Sequence, residues 1–380
     1  MEARTDAAHR WGQLQGRIAH LPPDVGHHFA CGLVRLALVE ALVQSGFSDA
    51  KSWFSHWFCG LESVPVLTAH VAAPAWMIAD TLLSELSLSP WEPLAEAAGH
   101  IRRAARPDRG AGQQAAESPP PLAVEQAQRL AEQIRGEAEA GWPLAALDRL
   151  HRAAAGSRHF APVERDHLAV SFLTGPVTLE QAPPNPPLWA LDLVAGAAVA
   201  RGNAGARPLP LPGAFRSEAL RPEFWPRERA ILVADAASRT ARSLTDLVEA
   251  AHAAVRHMSA TLGGLRSTSR APMLYRMLAG YGPLRPIQIE RALQLSKNGV
   301  RELVATLVRA GLVEMAAHRH QAIVRAVPPG RANDRTVEPD GKPEPAPNAA
   351  FAEFDAAMAR IDRLLGPTLP RDEEDGEPDW

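Results

Sequence analysis

Ile287 to Glu314 run IQIERALQLSKNGVRELVATLVRAGLVE. Pro286 is preorganised for a first helical turn, and Ile289, Ala292 and Leu293 fall on one side of a short helix over 287–293. Leu295-Ser296 makes a tight turn. The Ser296 hydroxyl suits an N-cap because it can accept from the exposed amides of the next helical turn. Lys297 to Ala310 then reads as a helix with Val300, Leu303, Val304, Leu307 and Val308 inward, closed by Gly311 in a left-handed conformation. Just upstream, Pro272 starts a helix over Met273–Ala279 that Gly280 and Gly282 end. Downstream, Leu312–Met315 reads as a strand, 316–321 as a loop holding His318, Arg319 and His320, and Ala322–Arg325 as a returning strand.

Three short helices followed by two strands resemble a winged helix-turn-helix. The 287–314 phrase is similar to the core of many bacterial regulators, in which a helix, a turn led by a hydrophobic residue and Ser, and a helix ending L-x-x-A-G-L-V/I precede the wing. The resemblance covers about a seventh of the chain. The whole layout also resembles an uncharacterised, often plasmid-encoded alphaproteobacterial family with a helical N-terminal region and a C-terminal helix-turn-helix. That family has no assigned activity, so it implies an architecture and no mechanism.

The residues carry their own argument. With 300, 303, 304, 307 and 308 inside, Lys297, Asn298, Arg301, Ala305 and Arg309 lie on the opposite face. Lys and Arg match guanine O6/N7, Asn matches adenine N6/N7, and Ala305 fits a thymine methyl, so Lys297, Asn298, Arg301 and Ala305 are the expected base readers. Ser296, Arg309, His318, Arg319, His320 and Arg285 are the expected phosphate contacts. Between Arg270 and Ala326 nine basic residues face three acidic ones, within a chain of net charge −3. Such concentration is the footprint of a nucleic-acid surface. Modules of this kind also bind proteins, and Glu302 would oppose phosphate if it points outward.

The rest of the chain divides by composition. Residues 1–105 read as a helical bundle, with helices over Phe29–Val43, after Ser48-Asp49, over Ala75–Leu86 and over Trp91–Ala105. An Arg/Gly/Gln/Pro-rich linker covers 106–122, and a helical core with proline-rich loops covers 123–226. Its helices fall over Ala123–Ala140, Pro143–Ala155 and Leu188–Ala200. Over 227–269 a long helix, or a helix pair broken at Ser243, carries a heptad seam from Ala234 to Leu262. That seam serves either a bundle inside one subunit or a homodimer through 230–262. After the module at 270–326 come a disordered linker (327–350), an amphipathic helix (351–366) and an acidic tail (367–380). The apolar stripe over 351–365 suits docking to a protein partner. The expected fold is therefore mainly α: a helical bundle region, a long helix and a C-terminal winged helix-turn-helix.

Composition removes several functions. No uninterrupted apolar run of about 18 residues is present, so no membrane span is expected, and Glu2 and Asp6 argue against a secretory signal. Cys31 and Cys59 cannot build a disulfide framework, which favours a cytoplasmic location. A Walker loop, HExxH and GxSxG are absent. Gly110–Ala115 matches a dinucleotide fingerprint only superficially, because no strand precedes it. His28-x-x-Cys31 and His56-x-x-Cys59 form a candidate zinc set, with core packing as the alternative. Glu164, Asp166 and His167 read as a solvated helix face without a nucleophile, so no enzyme is expected. The function expected is sequence-specific binding of double-stranded DNA in transcription regulation. Scaffolding in chromosome or plasmid maintenance and a zinc-dependent enzyme are the alternatives.

Overall fold

The computed structural model describes residues 2–47, 49–64, 71–105, 120–134, 144–162, 166–172, 175–181, 184–201, 206–221, 223–262, 270–318 and 321–329; for 166–172, 175–181 and residue 201 it describes the backbone alone. Most of the linker expected at 106–122 lies outside these residues. So do the dinucleotide-like stretch, the expected helix beyond residue 134, Glu164, and the helix and tail expected beyond 350.

The described chain is mainly helical. Five helices open it: α1 (Glu2–Ala19), α2 (Pro23–Gln44), α3 (Ala50–Phe58), α4 (Ala75–Leu86) and α5 (Glu92–Ala104). Next come α6 (Pro120–Gln133), α7 (Ala145–Ala155), a hairpin of β1 (Asp166–Phe172) and β2 (Gly175–Gln181), α8 (Leu188–Arg201), α9 (Ser217–Leu220) and α10 (Pro226–Leu262). The C-terminal elements are α11 (Ala271–Arg276), a π turn (Met277–Tyr281), α12 (Pro286–Leu293), α13 (Lys297–Arg309) and a second hairpin, β3 (Val313–His318) with β4 (Gln321–Ala326).

The central element is α2. It is apolar on nearly every side, with Phe29, Leu33, Val34, Leu38 and Leu42 fully buried, as a helix surrounded by protein must be. By length and composition α2 could cross a membrane, closer to a span than the sequence reading allowed. However, 78% of its most apolar window is buried inside the protein, where α4, α5, α8 and α10 pack on it. At Gly32 the contact with α10 is so close that a Cβ would lie 2.4 Å from Leu247 Cδ1.

Helix α10 runs unbroken through Ser243. Thr245 returns its hydroxyl proton to Ala241 O (2.8 Å), a bond within one continuous helix. Ala234, Ala237, Ala241, Leu244, Val248, Ala251 and Met258 of the heptad seam are buried, and α1 and α2 of the same chain are what they pack against. Ser238 Oγ donates to Asp6 Oδ2 (2.8 Å) across the α1 contact. The seam therefore serves the chain's own core, and the homodimer expected through 230–262 does not find it free.

Asp166 and His167 are corrected from a helix face to the start of a strand, paired with Gln181 and Glu180. Leu168-Ala-Val-Ser-Phe172 and Val177-Thr-Leu179 are rich in β-branched and aromatic residues, and Gly175-Pro176 between them suits the turn of a hairpin. Beyond α8 the proline-rich loop is organised by buried Asp192. Its carboxylate accepts from the amides of Gly213 (2.7 Å) and Phe215 (2.9 Å) and from Gln44 Nε2 (2.7 Å). Burial pushes this carboxyl up to about 8 against the pull of those three donors.

The C-terminal elements grow out of the same core. Gly280 does not end a helix, as the sequence reading had it; it lies inside the π turn, pressed on α2. Gly282, at φ 127°, is where the chain leaves the turn. Arg35 of α2 then donates to Tyr281 O (2.8 Å) and Ser55 Oγ (3.0 Å), with its guanidinium 5.5 Å from the Phe54 ring centroid. Leu284 pairs with Val324 of β4 through two backbone bonds (3.0 and 2.9 Å), adding an isolated third rung beside the hairpin. Buried Gln288 donates to Phe58 O (2.8 Å), and His100 Nδ1 and Arg103 Nε of α5 meet Ala292 O (2.8 and 3.2 Å). Buried side chains from α1 to β4 consequently form one connected cluster.

A Cβ on residue 280 would stand 2.7 Å from Cys31 Cβ and 2.8 Å from His28 O. Gly280→Ala is expected to lower unfolding free energy by about 2 kcal/mol, measured by urea denaturation, because a backbone contact and not a mobile side-chain end must yield.

Candidate nucleic-acid interface

Helix α13 begins as its sequence dictates. Ser296 Oγ accepts from Gly299 N at 3.2 Å, and Gly311 beyond the helix end takes φ 69°. The turn before it is made by Gln294 at φ 52°, with Leu295 N bonded to Glu290 O (3.1 Å). Upstream, α12 starts with a capping box in which Arg285 N donates to Gln288 Oε1 (3.0 Å).

The buried side of α13 is narrower than the apolar stripe in its sequence. Val300, Val304 and Leu307 are buried, Leu303 is half-buried and Val308 is exposed. At 100° per residue, three buried positions at 300, 304 and 307 centre the outward face on Asn298, Glu302, Ala305 and Arg309. Lys297, Asn298, Glu302 and Arg309 are exposed, and Ala305 is half-buried. Arg301 sits on the flank, half-buried, with its Nε withdrawn from solvent.

The remaining expected phosphate contacts divide. Ser296 is exposed and its hydroxyl proton stays available beyond the cap. Arg285 is engaged within the chain, at its surface: its guanidinium donates to Gln321 Oε1 (2.9 Å) and closes on Gly60, where a Cβ would be 3.0 Å from Nη2. His318 belongs to β3 and not to a loop, because both strands run further toward the hairpin tip than their sequences indicate. Its ring stacks on His56 at 4.6 Å, so it faces α3. Arg319 and His320 lie outside the described residues.

The proposed zinc set does not assemble. His28 and Cys31 are buried on α2 beside the C-terminal elements, His28 near Tyr275 and Cys31 under Gly280. Cys59 is buried at the end of α3, where its thiol donates to Pro283 O (3.2 Å). Burial pushes the Cys31 thiol up to about 12 and the Cys59 thiol up to about 11, as for small side chains packed in a core. Among the described residues, the His, Cys and carboxylate ligand atoms that converge are those of His56, Glu62 and His318. Sequence reasoning passed over Glu62. The signal was Gly60, whose left-handed turn ends α3 and folds the chain back on it.

No protein-family model matches the chain, and no curated protein is significantly similar to it.

Burial, reinforced by the Arg276 charge, holds His28 down at about 4. Its ring is thus neutral in the folded protein at a pH where the unfolded chain, with an ordinary pKa near 6.5, takes up a proton. Stability is full above about 6.5 and falls as pH drops toward 4, by up to about 3 kcal/mol from this group. His28→Gln is expected to lack that component when urea midpoints are compared at pH 7 and 4.5. Asp192 titrates with the opposite sign but is common to both proteins, so it cancels in the difference.

Proposed function

We propose that residues 270–326 form a winged helix-turn-helix that binds double-stranded DNA sequence-specifically, and that the protein regulates transcription. In this reading α12 and α13 are the helix-turn-helix, α13 lies in the major groove, and the β3–β4 hairpin with Leu284 is the wing. The observation that carries it is the first turn of α13. There Ser296, Lys297 and Asn298 stand exposed together at a helix N-terminus, in the segment where the chain's positive charge is concentrated. A helix enters the major groove by that end, where its amides and dipole also favour phosphate.

The geometry refines the roles. Lys297 suits guanine and Asn298 suits adenine, while Arg309 and the Ser296 hydroxyl suit flanking phosphates. Ala305 remains a candidate for a thymine methyl. Arg301, half-buried on the flank, is better suited to orienting α13 than to reading a base. Glu302, at the middle of the outward face, can accept from a cytosine amino group.

A scaffolding role through protein contacts is the second reading. Ile287 (40% exposed), Val308 (36%) and Met315 (38%) favour it, since they leave apolar surface on three elements of the module. The two readings separate by salt dependence, because duplex binding releases counterions and apolar docking does not.

Selection from a random duplex pool followed by fluorescence anisotropy tests the proposal. Lys297→Ala and Asn298→Ala are each expected to cost about 1–3 kcal/mol on the selected site and to relax its sequence at one position. Arg309→Ala should weaken all duplexes alike and flatten the salt slope by about one. Wild-type protein without salt-dependent duplex binding overturns the reading.

A further inference from the structure

Helix α3 ends in a turn that sets up a second chemistry. Gly60, at φ 65°, allows Leu61 N to bond back to His56 O (2.9 Å) and Gly60 N to Trp57 O (2.7 Å). This double bond pattern reverses the chain and brings Glu62 beside His56, one turn from the helix end. Leu61 and Cys59 make a small buried cluster with Ile323 of β4, which seats the hairpin on the turn. The outer end of β3 thereby delivers His318 to the same place.

The three side chains meet around one carboxylate oxygen. Glu62 Oε1 is 3.6 Å from His56 Nδ1 and 3.7 Å from His318 Nε2, and all three ligand atoms lie within 4.8 Å of one another. The imidazole rings stack with centroids 4.6 Å apart and planes 18° from parallel. His318 Nε2 is withdrawn from solvent and makes no hydrogen bond. Both contacts are too long for direct hydrogen bonds. They are close to the separation of about 3.4 Å between neighbouring ligands of a tetrahedral ion with bonds of about 2.0–2.2 Å. The side chains are half-buried, so a water has access as a fourth ligand.

We propose that His56, Glu62 and His318 bind a divalent first-row transition ion, of which zinc is the representative. Two imidazole nitrogens and one carboxylate oxygen are a donor set for such ions and not for calcium or magnesium. The ion ties β3 to the end of α3 across a loop of more than two hundred residues, so its binding free energy adds to the stability of the docked hairpin. The site is separate from the exposed face of α13 and does not rest on the DNA-binding reading.

The experiment uses the full chain stripped with a chelator and dialysed against micromolar zinc, with metal content, thermal midpoint and the absorption of a cobalt-substituted sample as readouts. The expected result is one equivalent of zinc and a midpoint that rises with zinc concentration. Cobalt should give visible d–d bands without the intense near-ultraviolet bands of thiolate ligation. Glu62→Gln and His318→Ala should each weaken binding at least about tenfold, with helical circular dichroism unchanged. Zinc content near zero after dialysis overturns the proposal. So does thiolate absorption, or a stoichiometry that the double variant His56→Ala, His318→Ala leaves unchanged, since each puts the ion elsewhere.

Discussion

The close approach of α2 to its neighbours is the constraint on which the structure depends. Two glycines set it: Gly32 on α2, filled by Leu247 of α10, and Gly280 in the π turn, laid against the backbone of His28 and the Cβ of Cys31. Packed interiors have no slack for even one extra methyl group. The distance from the bundle to the C-terminal elements is thus fixed to within the size of a Cβ. A π turn is an uncommon way to continue a helix, and here it has a local cause. It advances the chain past Gly280, so that Tyr281 O reaches the Arg35 guanidinium while Tyr281 itself enters the core.

From that junction the placement of α13 follows step by step. Arg35 is desolvated, which depresses its own pKa, and Tyr281 O and Ser55 Oγ supply the hydrogen bonds that make its burial tolerable. Gln288 fastens α12 to the end of α3, while His100 and Arg103 fasten its other end to α5. With α12 held at both ends, the turn at Gln294 and the Ser296 cap leave α13 one orientation, with Val300, Val304 and Leu307 inward. The C-terminal elements are therefore an extension of the bundle core, and their outward face is carried by a rigid base.

Local signals in the sequence were legible, and tertiary ones were not. Ser296 as a cap, Gly311 as a left-handed terminator and the bounds of α4 depend on neighbours in the chain, and each stands where the sequence places it. Val308 shows the limit. Its spacing matches the apolar stripe of α13, but which edge of a wide stripe stays in solvent is set by the helices packed on it, here α11 and α12. Arg285 and His318 read as free phosphate contacts because nothing local reveals Gln321 or His56 as their partners. The heptad seam of α10 was visible, whereas the identity of what fills it was not, since α1 lies more than two hundred residues away. The metal-ligand pattern failed for the same reason. Equal His-x-x-Cys spacing puts each pair on one helix face, but a site requires the faces to meet, and α2 spends its face on the π turn.

Glu302 is the residue through which the proposed recognition has to be reasoned. A carboxylate at the centre of the outward face is repelled by a duplex whose phosphates line both sides of the groove. Lys297 and Arg309, both exposed on the same helix, offset that repulsion without cancelling it locally. Binding that relied on charge alone would then be weak, consistent with a chain whose net charge is −3. The penalty is relieved where the groove offers a donor to Glu302, which among the base edges means the cytosine or adenine amino group. At sequences without such a donor the exposed carboxylate has to swing away from the base edges, and part of the cost is retained. Discrimination in this reading comes in part from an unfavourable contact at sequences that offer Glu302 no donor.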